Sequence, residues 1–139
     1  MTELKYIFCL VIIAAGLAGC GSVPDEKTAP ATDAAYFIDK SIATPQPDTG
    51  KVVIRRDSWP MHGYRVDFYL DGRKIGSIGN GEIATVYLPV GRHLIGVYTI
   101  DNKPFREMAT EISDKRTTYI HVTLSALGYG GWVVSETSH

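Results

Sequence analysis

The sequence lacks an excess of charge of either sign. Its 139 residues hold 14 Lys and Arg against 15 Asp and Glu, which gives a formal net charge of −1. Without a basic patch to neutralise phosphates, we do not expect nucleic acid or an anionic membrane surface as the main partner. The length is that of one domain.

The chain also has little uninterrupted apolar sequence. Its main apolar run, Tyr6–Leu17, is only 12 residues long, whereas a membrane-spanning helix needs about 20. This is the length of the apolar core of a secretory signal, and Lys5 with the chain amine precedes it. The next residues, Leu17-Ala18-Gly19-Cys20, resemble the lipobox of bacterial lipoproteins. The alternative is an ordinary signal or membrane anchor with a chance cysteine.

The lipobox resemblance implies a signal peptide over residues 1–19 and a lipid on Cys20. A diacylglyceryl group with palmitate-type acyl chains would go onto the cysteine sulfur, and cleavage just before it would leave a stable membrane anchor. Gly21 and Ser22 follow, without the Asp that retains such lipoproteins in an inner membrane. The expected location is therefore the bacterial cell envelope, on the outer membrane facing the periplasm if the source has two membranes.

Cysteine is scarce, and this limits how the exported domain is stabilised. Of the 2 cysteines, Cys9 lies in the predicted signal and Cys20 is the predicted lipid acceptor. The mature chain then has no thiol for a disulfide, so we expect the domain to depend on its apolar core.

Residues 20–49 are predicted to be the lipidated cysteine and a tether rich in Pro and Ala. Four of the seven prolines lie in this stretch, which carries a net charge of −3. We expect it to be mostly mobile and, as a flexible coil, to hold the domain about 30 Å from the bilayer. Asp33–Ala43 is an exception because it contains the apolar Tyr36–Ile38. It predicts a short helix capped by Asp33, or an extra strand, docked on the domain rather than floating.

Residues 50–139 have the pattern of an all-β domain. Turn signals recur at intervals of about nine to twelve residues, and no segment shows a helical period. Asp71-Gly72 and Asn80-Gly81 suit two-residue hairpin turns, whose central residues need positive φ. We therefore predict one antiparallel β-sandwich of about seven to eight strands. The candidate strands are Lys51–Arg56, Tyr64–Leu70, Arg73–Ile78, Glu82–Leu88, Arg92–Ile100, Arg106–Ile112, Arg116–Leu124 and Trp132–Ser135.

Turn lengths also predict which residues lie side by side. A two-residue turn at Asp71-Gly72 sets Tyr69 opposite Lys74 and Phe68 opposite Ile75. Similar hairpins at Asn80-Gly81 and Pro89–Gly91 extend both rows. One predicted row is apolar, and the row on the other face is polar and aromatic: Phe68, Ile75, Val86 and Leu94 against Tyr69, Lys74, Tyr87 and His93. A strand passed to the second sheet would break this pairing.

The run Tyr69–His93 resembles a family of bacterial lipoproteins known only as a domain of unknown function. It is also distantly similar to the PEGA-type β-sandwich repeats of envelope proteins. The shared features are Asp71-Gly72, Ile75-Gly76, Asn80-Gly81 and Pro89-Val90-Gly91, with Trp132–Glu136 similar to a closing strand. The resemblance implies a β-sandwich on a lipid anchor and brings no catalytic residues, since none are assigned to the family.

Patterns typical of a catalytic or metal site are missing. The histidines at 62, 93, 121 and 139 are scattered, and no free cysteine remains in the mature chain, so we expect no metal. No serine has a nucleophile-elbow pattern, although a triad assembled in space stays open. Gly76–Gly81 lacks the following helix and Lys-Ser or Lys-Thr of a phosphate loop. No cofactor is expected.

The aromatic row is the candidate contact surface. Tyrosine supplies rigid area with a polar tip, which suits an interface or a sugar platform. We therefore name Tyr69, Lys74, Tyr87 and His93, with Trp59 as a second candidate. The alternative is an ordinary sheet face covered by Tyr36–Ile38.

Three functions stay open at this stage. The favoured one is a noncatalytic envelope lipoprotein that binds another envelope protein, in assembly, stabilisation or inhibition. The second is a carbohydrate- or peptidoglycan-binding lipoprotein, which would need coplanar aromatics on an exposed face. The third is a small periplasmic hydrolase, which would need a cleft with a titratable pair of shifted pKa.

Overall fold

In the part of the chain that the structure describes, eight strands form where the sequence alternates apolar and polar residues. The structure is a computed structural model that describes residues 21–59, 63–98, 106–124 and 132–137. Each strand lies within two residues of its predicted limits. They are β1 Thr49–Arg56, β2 Val66–Leu70, β3 Arg73–Ile78, β4 Ile83–Pro89, β5 Gly91–Tyr98, β6 Arg106–Ile112, β7 Thr118–Leu124 and β8 Trp132–Thr137.

The strands form two four-stranded sheets, and the predicted all-β sandwich is confirmed. The first sheet has the order β4-β1-β7-β8 and the second has the order β3-β2-β5-β6. All described pairs are antiparallel except β1 and β7, which run parallel. The inward residues of both sheets form one core, because alternate side chains of each strand face the opposite sheet. Val52, Ile54 and Phe68 are completely buried in it.

The first predicted hairpin is confirmed, with one irregularity. Asp71 and Gly72 have φ of 49° and 77°, as a tight turn that follows the strand twist requires. Tyr69 pairs with Lys74 as predicted, but Phe68 faces Gly76 instead of Ile75 because the register shifts between Phe68 and Tyr69. This β-bulge adds one residue on β3 that turn counting does not anticipate.

The other two predicted hairpins are wrong, because both turns pass the chain between sheets. Of the residues in the turn 79–82, only Gly81 has positive φ (69°), with the Glu82 N–H donating to the Gly79 carbonyl. The turn leads from β3 to β4, which belongs to the other sheet and pairs with β1. After the turn around Val90, β5 returns to the second sheet, between β2 and β6. The rows predicted across these turns therefore do not form.

The segment predicted as a mobile tether lies against the sandwich instead. The Thr32 N–H donates to the Ile83 carbonyl at 2.8 Å, and the Ile38 N–H donates to the Ile75 carbonyl at 3.0 Å. Between these contacts a 3-10 helix spans Ala34–Tyr36, capped by the Asp33 carboxylate as predicted; a second spans Lys40–Ala43. The segment thus contacts the edge strands β4 and β3 and covers the opening between the sheets.

One aromatic side chain fixes this segment in the core. Phe37 is only 5% exposed, and its ring meets that of Phe68 edge to face, with centroids 6.2 Å apart. Gly76 provides the space, since a Cβ there would lie 2.7 Å from the Phe68 ring and 3.0 Å from the Phe37 ring. The docked alternative for Asp33–Ala43 is therefore correct, and burial of Phe37 explains it.

Candidate functional site

The predicted polar row is divided among three places. Tyr69 and Lys74 face each other on the outer side of the second sheet. Tyr87 is on β4 in the first sheet, opposite Lys51. His93 shares the inward parity of Ile95 on β5. The surface predicted from these residues does not exist as one face, because it depended on the two turns that cross between sheets.

On the second sheet, Tyr69 and Lys74 are engaged with their neighbours. The Lys74 ammonium lies 2.8 Å from the Asp67 carboxylate. The rings of Tyr69 and Tyr98 meet at 72°, with centroids 6.3 Å apart. An edge-to-face pair is not the coplanar platform that stacks on a sugar ring, so this pair does not favour carbohydrate binding.

His93 contacts the first hairpin turn. Its Nδ1 lies 2.7 Å from Asp71 Oδ2, and the Leu94 N–H donates to Asp71 Oδ1 at 2.9 Å. The hydrogen bond from the Leu94 N–H contributes most, and that from His93 next, to holding the pKa of Asp71 below its usual value. The contacts tie the Asp71-Gly72 turn to β5, which is a structural role.

Tyr87 belongs to a different face, made by the first sheet. Five outward residues of β4, β1 and β7 make up this face, and all are half-buried: Lys51, Arg55, Thr85, Tyr87 and Tyr119. We refer to them together as the tyrosine face. The Arg55 guanidinium carbon lies 4.9 Å from the centre of the Tyr119 ring and also forms a 3.0 Å ion pair with Glu26 of the N-terminal segment. Tyrosine and arginine are enriched at protein interfaces.

Beside the tyrosine face, three side chains converge that the sequence did not associate. His121 Nε2 lies 2.6 Å from Asp57 Oδ1, and the Thr123 hydroxyl donates to Asp57 Oδ2. Asp57 is 5% exposed. The parallel pairing of β1 and β7 brings these residues together across 64 positions of sequence. The carboxylate thereby orients the imidazole and joins the ends of the two strands.

A second polar cluster lies where β3 passes to β4. The Arg65 guanidinium makes two hydrogen bonds to the Glu82 carboxylate, at 2.9 and 3.1 Å, and one to the Ser77 carbonyl. Tyr36 covers Arg65, its ring centre 3.4 Å from the guanidinium carbon. Burial raises the pKa of Glu82, but hydrogen bonds from Arg65, the Gly79 N–H and Thr32 outweigh it and hold that pKa below its usual value. The cluster fastens the N-terminal segment to the sandwich.

Arg56 joins the two sheets inside the same end of the sandwich. It is completely buried, and its Nη1 donates to the carbonyls of Tyr64 at 2.6 Å and Ile78 at 3.0 Å. Burial lowers the pKa of Arg56 to about 10. Because Ile78 ends β3 of the other sheet and Tyr64 lies two residues before β2, the side chain links the two sheets and is not presented to a ligand.

Trp59, the second predicted contact residue, lies beneath the N-terminal segment. A Cβ on Gly21 would come within 2.3 Å of the indole, so the chain passes directly over the ring. Asn80 holds the Trp59 backbone at both polar groups, accepting from its N–H at 2.9 Å and donating to its carbonyl at 3.1 Å. The ring packs against the core and is half-buried, which does not suit a sugar platform.

The predicted lipid acceptor, Cys20, lies outside the described residues. Within the described ranges no three His, Cys, Asp or Glu side chains are grouped so as to hold a metal ion. No helix in that part of the chain is both long enough and apolar enough to span a bilayer.

The chain matches no protein-family model, no curated protein and no solved structure. Over the described ranges, the class that the structure establishes is an all-β sandwich of two four-stranded sheets. The resemblance to PEGA-like lipoproteins stays a prediction.

Proposed function

We propose that this protein is a noncatalytic, lipid-anchored lipoprotein of the bacterial cell envelope that binds another envelope protein through the tyrosine face. The apolar run Tyr6–Leu17 and the following Leu17–Cys20 support the anchor. The observation that carries the binding role is the position of Tyr87, half-buried on an outward sheet face with Lys51 opposite it.

The composition of the tyrosine face favours a protein partner. Two tyrosines and two basic residues surround Val53, which is completely buried although it has the outward parity. Because Val53 is inaccessible, a partner would meet the tyrosine rings and the basic groups around it, and tyrosine and arginine carry much of the binding energy at protein interfaces. Glu26 neutralises part of the charge of Arg55.

The test is photocrosslinking from position 87 in the lipidated protein, in its own envelope. Position 74 is the matched control, because Lys74 is exposed on the outer side of the opposite sheet. A discrete protein adduct from 87 and none from 74 would support the proposal and identify the partner.

Two other outcomes would overturn it. A smear from 87 that collapses on peptidoglycan digestion would assign the face to the cell wall instead. Equal adducts from both positions, or none from either, would remove the tyrosine face as the binding surface. The anchor is tested separately, since Cys20→Ala should yield protein without acyl mass that is either soluble or unprocessed; membrane retention of the processed protein would contradict the anchor.

A further inference from the structure

The N-terminal segment reaches the sandwich within one residue of the predicted anchor. The Ser22 N–H donates to the Ser58 carbonyl at 3.0 Å, and the Ser58 N–H donates back to Ser22 at 2.9 Å. Gly21 lies over the Trp59 indole, too close for a Cβ. Residue 21 is therefore held against the folded domain, and no slack chain separates it from position 20.

These contacts lie at one particular end of the sandwich. This end, which we refer to as the anchor end, is formed by Gly21, Ser22, Ser58, Gly63 and the Asn80-Gly81 turn. Ser58 follows the end of β1, and a Cβ on Gly81 would lie 3.1 Å from that of Ser58. Gly63 precedes Tyr64, whose carbonyl accepts from Arg56 at the end of β1. Val90 lies at the opposite, distal end, where its N–H donates to the Asp48 carbonyl just before β1.

Covalent geometry then limits how far the domain can stand from its lipid. Two residues span at most about 7 Å when fully extended, whereas the flexible tether expected from the sequence would span about 30 Å. The eight residues of β1 extend about 25 Å from the anchor end toward the distal end.

We infer that the sandwich rests directly on the lipid headgroup layer with its anchor end, and that the distal end points away from the membrane. The inference rests on the proposed lipidation of Cys20. Val23, which is 59% exposed and directly follows the Ser22–Ser58 pairing, offers an apolar side chain to that layer. In this orientation the tyrosine face, part of which lies on β1, extends away from the lipid surface along the side of the sandwich, where a partner in or on the same membrane can reach it.

The test uses the full lipidated protein in phosphatidylethanolamine–phosphatidylglycerol vesicles that carry a nitroxide quencher on the headgroups. Gly63→Cys and Val90→Cys each supply one thiol for a fluorophore, since processing removes Cys9 and acylates Cys20. Both positions are exposed, and a Cβ at 63 meets nothing within 4 Å. Position 63 is far from the anchor in sequence, so only the docked fold brings it to the membrane.

We expect severalfold stronger quenching at 63 than at 90. Equal quenching at both positions in protein that carries acyl mass would overturn the orientation and leave the lipoprotein proposal intact. Absence of acyl mass, with no quenching at either position, would overturn the lipoprotein proposal and the orientation with it. Gly21→Ala supplies a further test, because its Cβ would displace residue 21 from the Trp59 indole. The difference in quenching between positions 63 and 90 should then shrink. An unchanged difference would contradict the role of the Gly21–Trp59 contact.

Discussion

Replacing Phe37 with alanine tests whether the N-terminal segment is part of the fold. Phe37 is 5% exposed and meets Phe68 edge to face. A buried phenylalanine removes about 200 Å² from water, or roughly 5 kcal/mol at about 25 cal/mol per Å². Alanine keeps part of that burial, so we expect Phe37→Ala to lower the free energy of unfolding by about 3–4 kcal/mol, within the range for such truncations.

The size of this effect separates the two descriptions of residues 21–49. In a mobile tether the same substitution would change the free energy of unfolding by less than about 0.5 kcal/mol. The expected loss is instead a large part of the roughly 5–15 kcal/mol that stabilises a typical domain. It corresponds to a fall in melting temperature of roughly 10–20 °C.

The assay is urea unfolding of the chain expressed from residue 21, followed by tryptophan fluorescence and analysed by linear extrapolation. Ile38→Ala is the matched control, because Ile38 is the next residue and is 69% exposed. We expect it to change the free energy of unfolding by less than about 0.5 kcal/mol. If Phe37→Ala proved as mild as Ile38→Ala, the reasoning about the docked segment would be refuted.

The other predictions concern the packing and charge that hold this segment and the two sheets. Gly76→Ala should lower the free energy of unfolding by about 1–3 kcal/mol through overpacking. The loss should be smaller in the Phe37→Ala background, since the Cβ of residue 76 would meet the Phe37 ring at 3.0 Å; a double-mutant cycle measures this coupling. The lowered pKa of Glu82 means that this carboxylate stabilises the fold above its unfolded-state pKa and loses that contribution as the pH falls through the lower folded-state value. Glu82→Gln should therefore flatten the decline of stability below about pH 5, and an unchanged decline would argue against the charge network. Arg56→Ala should cost about 2–4 kcal/mol in thermal unfolding, because the buried Ile78 carbonyl and the partly buried Tyr64 carbonyl lose their donor. Arg56→Met should cost less because it fills the volume; equal losses would show that the hydrogen bonds dominate.

The position of Tyr87 changes how a partner surface should be sought on this protein. A search guided by the predicted row would combine residues that lie on opposite sheets. The first sheet instead places Tyr87 with Lys51, Arg55 and Tyr119, so substitutions intended to disturb binding should be grouped on that sheet. Lys74, paired with Asp67 on the other sheet, is the appropriate negative control.

Local chemistry alone determined where the strands lie and how the first hairpin turns. Period-two alternation reports which side chains face a core, and Asp71-Gly72 specifies its turn because few residues accept positive φ. Asp33 was recognisable as a helix cap for the same local reason. All these features depend on neighbours within a few residues.

Tertiary structure decided which strands pair and which residues form a site. Asn80-Gly81 and Pro89–Gly91 have the local chemistry of hairpins, yet they cross between sheets, because two sheets bury the apolar faces of eight strands better than one. The apolar Tyr36–Ile38 predicts docking, but only the fold shows where Phe37 enters the core, beside Gly76 and Phe68. Asp57 and His121 meet only through the parallel pairing of β1 and β7, 64 residues apart. These contacts form only once the whole chain has folded, because each depends on how the two sheets together bury their apolar residues.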